Sequence, residues 1–449
     1  MQRWHNPHAV SFATARARFR DGSDTPRELL ERCIATIEAR EPVVKAWVTL
    51  DLAAARAAAD ASGARWRAGT PLSPVDGCPV GVKDIIATAG LPTQMNSPAF
   101  SGWQTHYDAA PVHALRSGGA VIVGKTVTTE FAVGYSGPTT NAFDPERTPG
   151  GSSSGSAAAV GCGMVPVALG TQTQGSTIRP ASFNGAVGFK PTLGALPLGG
   201  VHPLSQTLDH LGIIGATLDD VWCTASQTSL GLGSPGHRFL SGAGATAPAP
   251  VKPRRMIHLH TRGWNEIDAP TAAAFASFTA ALAERGVKVI SRDNDRRVAQ
   301  LEAKLNAWVD SGLDILACEM RWPYEEYVAR HGEVIGERIR NFIARARTIT
   351  PERYEALLAE RAVMRAEVRS VAAGTDGFIT LPCSSIAPRG FTFTGSRTFL
   401  AYWSGLGFPT FSLPLLAVDA MPLGVQWMGV DHQDGALAAT ANWCMRELT

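Results

Sequence analysis

The apolar positions of this chain fall into short uniform runs separated by longer stretches of helical periodicity. Leu29, Leu30, Cys33, Ile34 and Ile37 recur at helical spacing behind Pro26, with Asp24 or Thr25 placed to cap the helix. Residues 76–83 read as a turn feeding a short strand, and Ala120-Val121-Ile122-Val123 as a strand too evenly apolar for a sheet edge. Val165-Pro166-Val167-Ala168-Leu169 predicts another strand, running directly into a loop that carries Ser176. After a Gly-, Pro-, Ser- and Ala-rich connection at 231–253, Met256-Ile257-His258-Leu259 reads as a strand, 269–285 as a helix closed by Gly286, and Val287-Lys288-Val289-Ile290 as a strand. Long helices are expected over 297–318, 323–347 and 351–373, before Phe378-Ile379-Thr380-Leu381 returns to the sheet. Helices alternating with buried strands predict an α/β core, and a loop at the carboxyl end of a strand is where such cores build sites.

Composition narrows the class without choosing a chemistry. Charged residues are 18% of 449 and the net charge is +2, which offers no field for nucleic acid and favours small or neutral substrates. The seven cysteines are dispersed and lack the paired spacing of a zinc or dithiol site. The amino terminus has no apolar signal core, and the longest apolar run, 157–169, is interrupted by Gly161, Gly163 and Pro166; the expectation is a cytoplasmic protein that does not enter a membrane.

Three motifs compete for the chemistry. Gly119-Ala120-Val121-Ile122-Val123-Gly124-Lys125-Thr126 matches the phosphate-loop pattern, but its four middle residues favour a strand over a turn that aims amides at phosphate. Gly151-Ser152-Ser153-Ser154-Gly155 matches a nucleophile elbow centred on Ser153, yet loop rather than strand precedes it; His202, His210 and His432 are the bases available to such an esterase. The third is a pair of serine loops, Pro149 to Ser156 and Gly170 to Pro180, with Lys83 upstream in Gly81-Val82-Lys83-Asp84. A serine alcohol is a poor nucleophile unless a base takes its proton, and small residues around it let amides approach a developing oxyanion. Thr173, Gln174, Gly175 and Ser176 supply consecutive N–H groups for that purpose.

These segments resemble the amidase signature enzymes, serine hydrolases with a Ser-Ser-Lys triad. The resemblance runs from Thr25-Pro26-Arg27-Glu28-Leu29-Leu30 through Pro79-Val80-Gly81-Val82-Lys83-Asp84 and the Gly150–Ser176 segment to Gly188-Phe189-Lys190-Pro191-Thr192. It continues in Gly407-Phe408-Pro409-Thr410 and Pro422-Leu423-Gly424-Val425-Gln426. It implies a large mixed, mostly parallel central sheet covered by helices on both faces, within one amidase domain spanning 1–449. Residues 60–230 would be the signature core with the triad, and 254–449 a helical, sheet-completing half forming part of the substrate pocket.

Carried over by position, the resemblance makes Ser176 the nucleophile, Ser152 the bridging serine behind a cis Gly151–Ser152 peptide, and Lys83 the base. The oxyanion hole falls to Thr173, Gln174, Gly175 and Ser176, and no metal or cofactor is required. A small amide is the expected partner, and the expected assembly is a homodimer or a pairing with a small accessory protein. Arg179 is a candidate for a substrate carboxylate or for a structural ion pair, and Gln172 for a substrate contact. Met95, Trp322, Tyr327, Tyr402 and Trp403 are candidates for a substrate wall or for core. Ser154 and Gln174 stand where the family carries glycine or another small residue, which would narrow the site. Arg179 follows Ser176 by one position more than in the A component of the aminoacyl-tRNA amidotransferases, which argues against a glutamine-dependent transamidation role.

Overall fold

A computed structural model of the chain describes residues 2–231 and 239–448, so part of the 231–253 connection lies outside the described residues. Its uniformly apolar runs become strands: β1 (Trp47–Leu50), β2 (Pro79–Lys83), β3 (Val121–Thr126), β4 (Val167–Gln172), β5 (Val187–Lys190) and β6 (His210–Gly215) come first. β7 (Arg255–His258), β8 (Lys288–Ile290), β9 (Phe378–Thr380), β10 (Thr410–Val418) and β11 (Met421–Met428) follow. They make one sheet in the order β1-β3-β2-β4-β6-β5-β10-β11-β9-β7-β8, so segments on both sides of the connection contribute to it. Every residue of β2 to β6 and of β9 to β11 is buried, which requires cover on both faces. β1 and β8, at the two edges, expose part of their length.

The sheet is mixed, but parallel pairing does not predominate as expected. β2 pairs in parallel with β3 and β4, and β7 with β8 and β9; the other neighbours are antiparallel. The cause is connection length. Helices Ala110–Ser117 and Ser154–Gly161 carry the chain back from one strand to the start of the next, which makes β2, β3 and β4 parallel. Asp419 and Ala420, both at positive φ, close a tight hairpin between β10 and β11, which makes that pair antiparallel.

Thr25, rather than Asp24, caps the helix Pro26–Val44 by accepting from the Glu28 amide, and Leu29, Leu30, Cys33, Ile34 and Ile37 are its buried stripe. The helix expected over 297–318 is two, Arg296–Trp308 and Ser311–Glu319. The one expected over 323–347 is also two, Arg321–His331 and Glu337–Ala346, divided at Gly332, whose φ of 52° no helix accommodates. Pro351–Ala372 forms as read, capped by Thr350.

The sheet's fully buried side chains include Phe189, Phe411 and Trp427, and each such burial contributes about 1.5–3 kcal/mol. Phe189 stacks on Phe411 with ring centroids 4.2 Å apart, locking β5 to β10. Against this core the helix Ser154–Gly161 is built wholly of small buried residues. A side chain at Gly155 would collide with the Ala46 carbonyl and the Val127 amide, so close approach of this helix to the sheet requires glycine there.

Candidate active site

Lys83 is the last residue of β2 and is fully buried. Its Nζ lies 2.7 Å from Ser152 Oγ and 2.7 Å from Thr171 Oγ1. Among the described residues no carboxylate pairs with it; burial pulls its pKa well below the ordinary lysine value, opposed by the charge of Asp209. Burial thus acts in favour of the neutral amine, and a neutral amine beside a hydroxyl can accept its proton.

Ser152 sits in a loop held from several sides. Gly150, at φ 77°, donates to Thr148 Oγ1, and a side chain on it would press on Phe183 and the Pro180 backbone. The Gly151–Ser152 peptide is cis. Arg179 Nη2 donates to the Gly151 carbonyl at 2.6 Å, and the Ser152 carbonyl accepts from the Thr129 amide at 3.2 Å. Ser153 is buried, and its hydroxyl exchanges bonds with the Thr171 backbone on β4, so it ties the loop to the sheet. Ser154 Oγ donates to the Val127 carbonyl and Ser156 Oγ to the Leu169 carbonyl.

The second serine follows β4. Gln172, the strand's last residue, accepts from the Thr177 and Ile178 amides at 2.9 Å each, capping the helix Ile178–Phe183 with a side chain from five residues upstream. Its Nε2 donates to Ser404, which donates in turn to the Gln174 carbonyl. Thr173 donates to Asp209 Oδ1 at 2.6 Å. Gly175 passes so near Leu400 that a Cβ would stand 2.6 Å from its Cδ1. Between these fixed points Ser176 is half-buried, and its carbonyl accepts from the Ser153 amide at 3.2 Å, joining the two serine loops. Among the described residues the amides of Gln174, Gly175 and Ser176 have no protein acceptor, and no hydrogen bond joins the Ser152 and Ser176 hydroxyls.

Ser152 and Ser176 line one cavity of about 270 Å³. Thr173, Gln174 and Arg179 share its wall with Leu313, Leu316, Phe342 and the segment 392–398. That volume is small for a ligand site and suits a compact molecule.

The sequence profile named Amidase matches residues 28–438. The chain belongs to the Amidase family. Among curated relatives it is 39% identical over 249 residues to the A component of the glutamyl-tRNA(Gln) amidotransferase of Chloroflexus aggregans, covering 54% of this chain and 50% of that protein. The corresponding protein of Chloroflexus aurantiacus is 42% identical over 220 residues, 48% of this chain and 45% of that one. The chain thus spans about half the length of the curated relatives it matches. Among solved structures, one described as an amidase superposes with a TM-score of 0.84 at 27% identity, covering 98% of this chain and all of that one. The peptide amidase of Stenotrophomonas maltophilia gives 0.83 at 23% identity over 99% of this chain and 98% of its own, a likeness of fold alone.

Other residues that the sequence singles out lie elsewhere. Met95 is fully buried core, its amide bonded to the Asp84 carbonyl, and Trp403 is buried with Nε1 donating to the Gly429 carbonyl; neither walls the cavity. Tyr402 donates to Asn306, Tyr327 stacks on Phe131, and Trp322 is exposed. Gln172 and Arg179 are spent on protein partners: Arg179 bonds the carbonyls of Gly151 and Ser396 and the Thr394 hydroxyl, and forms no ion pair among the described residues. Lys125 of the phosphate-loop pattern lies in β3, fully buried, bonded to Asp84 Oδ1 at 3.1 Å, Thr93 Oγ1 and the Ile86 carbonyl. Among the described residues the Ser153 hydroxyl has no histidine partner. Arg338, Phe342 and 392–398 join the wall without any motif to announce them; the only local sign of the last is a run of Gly, Ser and Thr after β9 that resembles the serine loops in composition.

Proposed function

We propose that this chain hydrolyses a small amide through an acyl-enzyme on Ser176. The observation that carries the reading is Lys83: a buried lysine with no carboxylate, 2.7 Å from a serine hydroxyl that shares a cavity with a second serine. In the reaction, neutral Lys83 takes the Ser152 proton while Ser152 takes that of Ser176, and Ser176 Oγ attacks the amide carbonyl carbon. In this reading the Ser152–Ser176 hydrogen bond closes on substrate binding, when catalytic contacts commonly tighten. The amides of the Thr173–Ser176 turn would bind the tetrahedral oxygen, each such donor contributing about 3 kcal/mol. Collapse breaks the C–N bond, the amine leaves with a proton returned through Ser152, and water repeats the relay to release the acid. No step calls on a metal or cofactor.

Ser176→Ala tests this. The variant should lose amide turnover and any mass adduct trapped from substrate, while a Lys83→Ala protein with undiminished turnover would refute the base.

A glutamine-dependent transamidation is the second reading, favoured by the curated relatives of matching sequence. It requires ammonia release from glutamine to depend on a partner protein, whereas the hydrolase reading requires the isolated chain, alone, paired with itself or with a small accessory protein, to act on simple amides. We place the reaction in the cytoplasm; no helix of the described residues is long and apolar enough to cross a membrane.

A further inference from the structure

Three guanidinium groups surround the cavity that holds Ser152 and Ser176: Arg179, Arg338 and Arg397. Among the described residues no aspartate or glutamate lines it. The nearby acids are engaged elsewhere. Asp310 pairs with Arg262 at 3.3 Å, Asp314 with Arg345 at 2.7 Å, and Glu130 accepts from the Gly336 amide at 2.8 Å. That last bond anchors the start of the helix Glu337–Ala346, and so the place of Arg338, exposed in its first turn.

Arg397 approaches from the opposite segment and donates from Nη1 to Gln174 Oε1 at 2.8 Å, which ties a cation to the loop of Ser176. Arg338 has no hydrogen-bonding or ionic partner among the described residues. Arg179, held by two carbonyls and a hydroxyl, keeps a buried Nε with no acceptor. The cations act on one another: burial lowers the pKa of Arg179 to about 10 and of Arg397, and Arg338 lowers both further, opposed at Arg397 by the charge of Asp310, which is itself paired with Arg262. Clustered like charges without a counter-ion cost free energy, and a bound anion relieves that cost.

We propose that Arg338 and Arg397 form an anion site that receives a carboxylate of the substrate, so that the preferred substrate is a compact amide carrying an acid group. This rests on the amidase reading of the same cavity. A guanidinium fork matches a carboxylate in two-point contact, and two forks beside one nucleophile fix the distance between the acid group and the scissile carbonyl. Gln174, which stands where relatives are expected to carry a small residue, then has a purpose: its side chain orients Arg397.

The test compares succinamate with its neutral counterpart butyramide, by kcat/KM and by calorimetric binding to the Ser176→Ala protein. Wild type should prefer succinamate. Arg338→Gln should lower the succinamate-to-butyramide ratio by about tenfold or more, chiefly through KM, and Arg338→Lys should restore part of it. Arg397→Gln should act in the same direction, and succinamate binding to Ser176→Ala should weaken when Arg338→Gln is added. Equal turnover of the two amides, or a ratio and binding indifferent to both arginines, would overturn the anion site while leaving the amidase reading intact. Binding of succinamate through Arg338 with neither amide hydrolysed would keep the anion site and overturn the amidase reading.

Discussion

Lys83 and Lys125 lie one step apart on neighbouring parallel strands, Val82 facing Lys125 and Lys83 facing Thr126, and both are fully buried. Lys125 has a carboxylate, Asp84 Oδ1 at 3.1 Å, together with a hydroxyl and two carbonyls. Lys83 has two hydroxyls. Burial lowers the pKa of both, but only for Lys125 does an adjacent carboxylate hold the charge in place. Lys125 is thus placed as a structural cation, whereas in the proposed reaction Lys83 is the base.

Replacing each by methionine should therefore have opposite effects. Lys125→Met strands Asp84 without its cation and should cost about 3–5 kcal/mol in denaturant unfolding. Lys83→Met should fold and gain stability at neutral pH. The folded pKa of Lys83 lies below its unfolded value, so between the two the unfolded chain binds more protons and stability rises with pH; Lys83→Met should flatten that rise. Unfolding titrations at several pH values read both effects.

Activity should follow the same group. With Lys83 as base, kcat/KM for an amide should climb with pH through the depressed pKa of this amine and then level off. Thr171→Val, nearly isosteric, removes one of the two partners of the amine and should reduce kcat about tenfold with a smaller change in KM, measured by ammonia release.

Gln172 organises the turn that carries Ser176. Gln172→Leu leaves the Thr177 and Ile178 amides without their acceptor and should destabilise the protein by about 1–3 kcal/mol. Thermal unfolding checks the size, and kcat should fall more than substrate affinity because the turn carrying Ser176 loosens.

Arg179 is predicted to matter for every amide alike. It holds the Gly151 carbonyl beside Ser152, so Arg179→Met should reduce kcat for charged and neutral substrates together, by up to about a hundredfold for a displacement near 1 Å. A loss confined to carboxylate-bearing substrates would instead make it part of the anion site.

Much of this arrangement is legible in short stretches of sequence. Strands β3, β4 and β9 declare themselves by short, largely apolar runs, and the serine loops by glycines whose missing side chains admit a second backbone, as Gly155 does, or a close-packed side chain, as Gly175 does. Pairing is less legible. The β10–β11 hairpin turns at Asp419 and Ala420, where nothing but the observed positive φ distinguishes the pair from other small or polar residues. Periodicity runs on through Val309 and Asp310, so the helix break there is marked only by the short Asp310-Ser311-Gly312 run. The cavity wall is harder still, because Arg338 and Arg397 acquire their role only when helices and loops distant along the chain fold over the serine loops. In sequence Arg179 reads as reaching a substrate or pairing with an acid; its partners are carbonyls and a hydroxyl, and carbonyls are groups that any residue can supply and no composition reveals.

In the proposed relay the hydroxyl of Ser176 is activated by the uncharged amine of Lys83 through Ser152. The most direct measurement is the rate at which a serine-reactive fluorophosphonate labels the protein as a function of pH, with the labelled residue located by mass spectrometry. The label should fall on Ser176 at a rate that rises with pH, and in Lys83→Ala the rate should be about 10²–10⁴-fold lower without that rise. A label on another residue, or wild-type labelling with the same pH profile in Lys83→Ala, would contradict the relay.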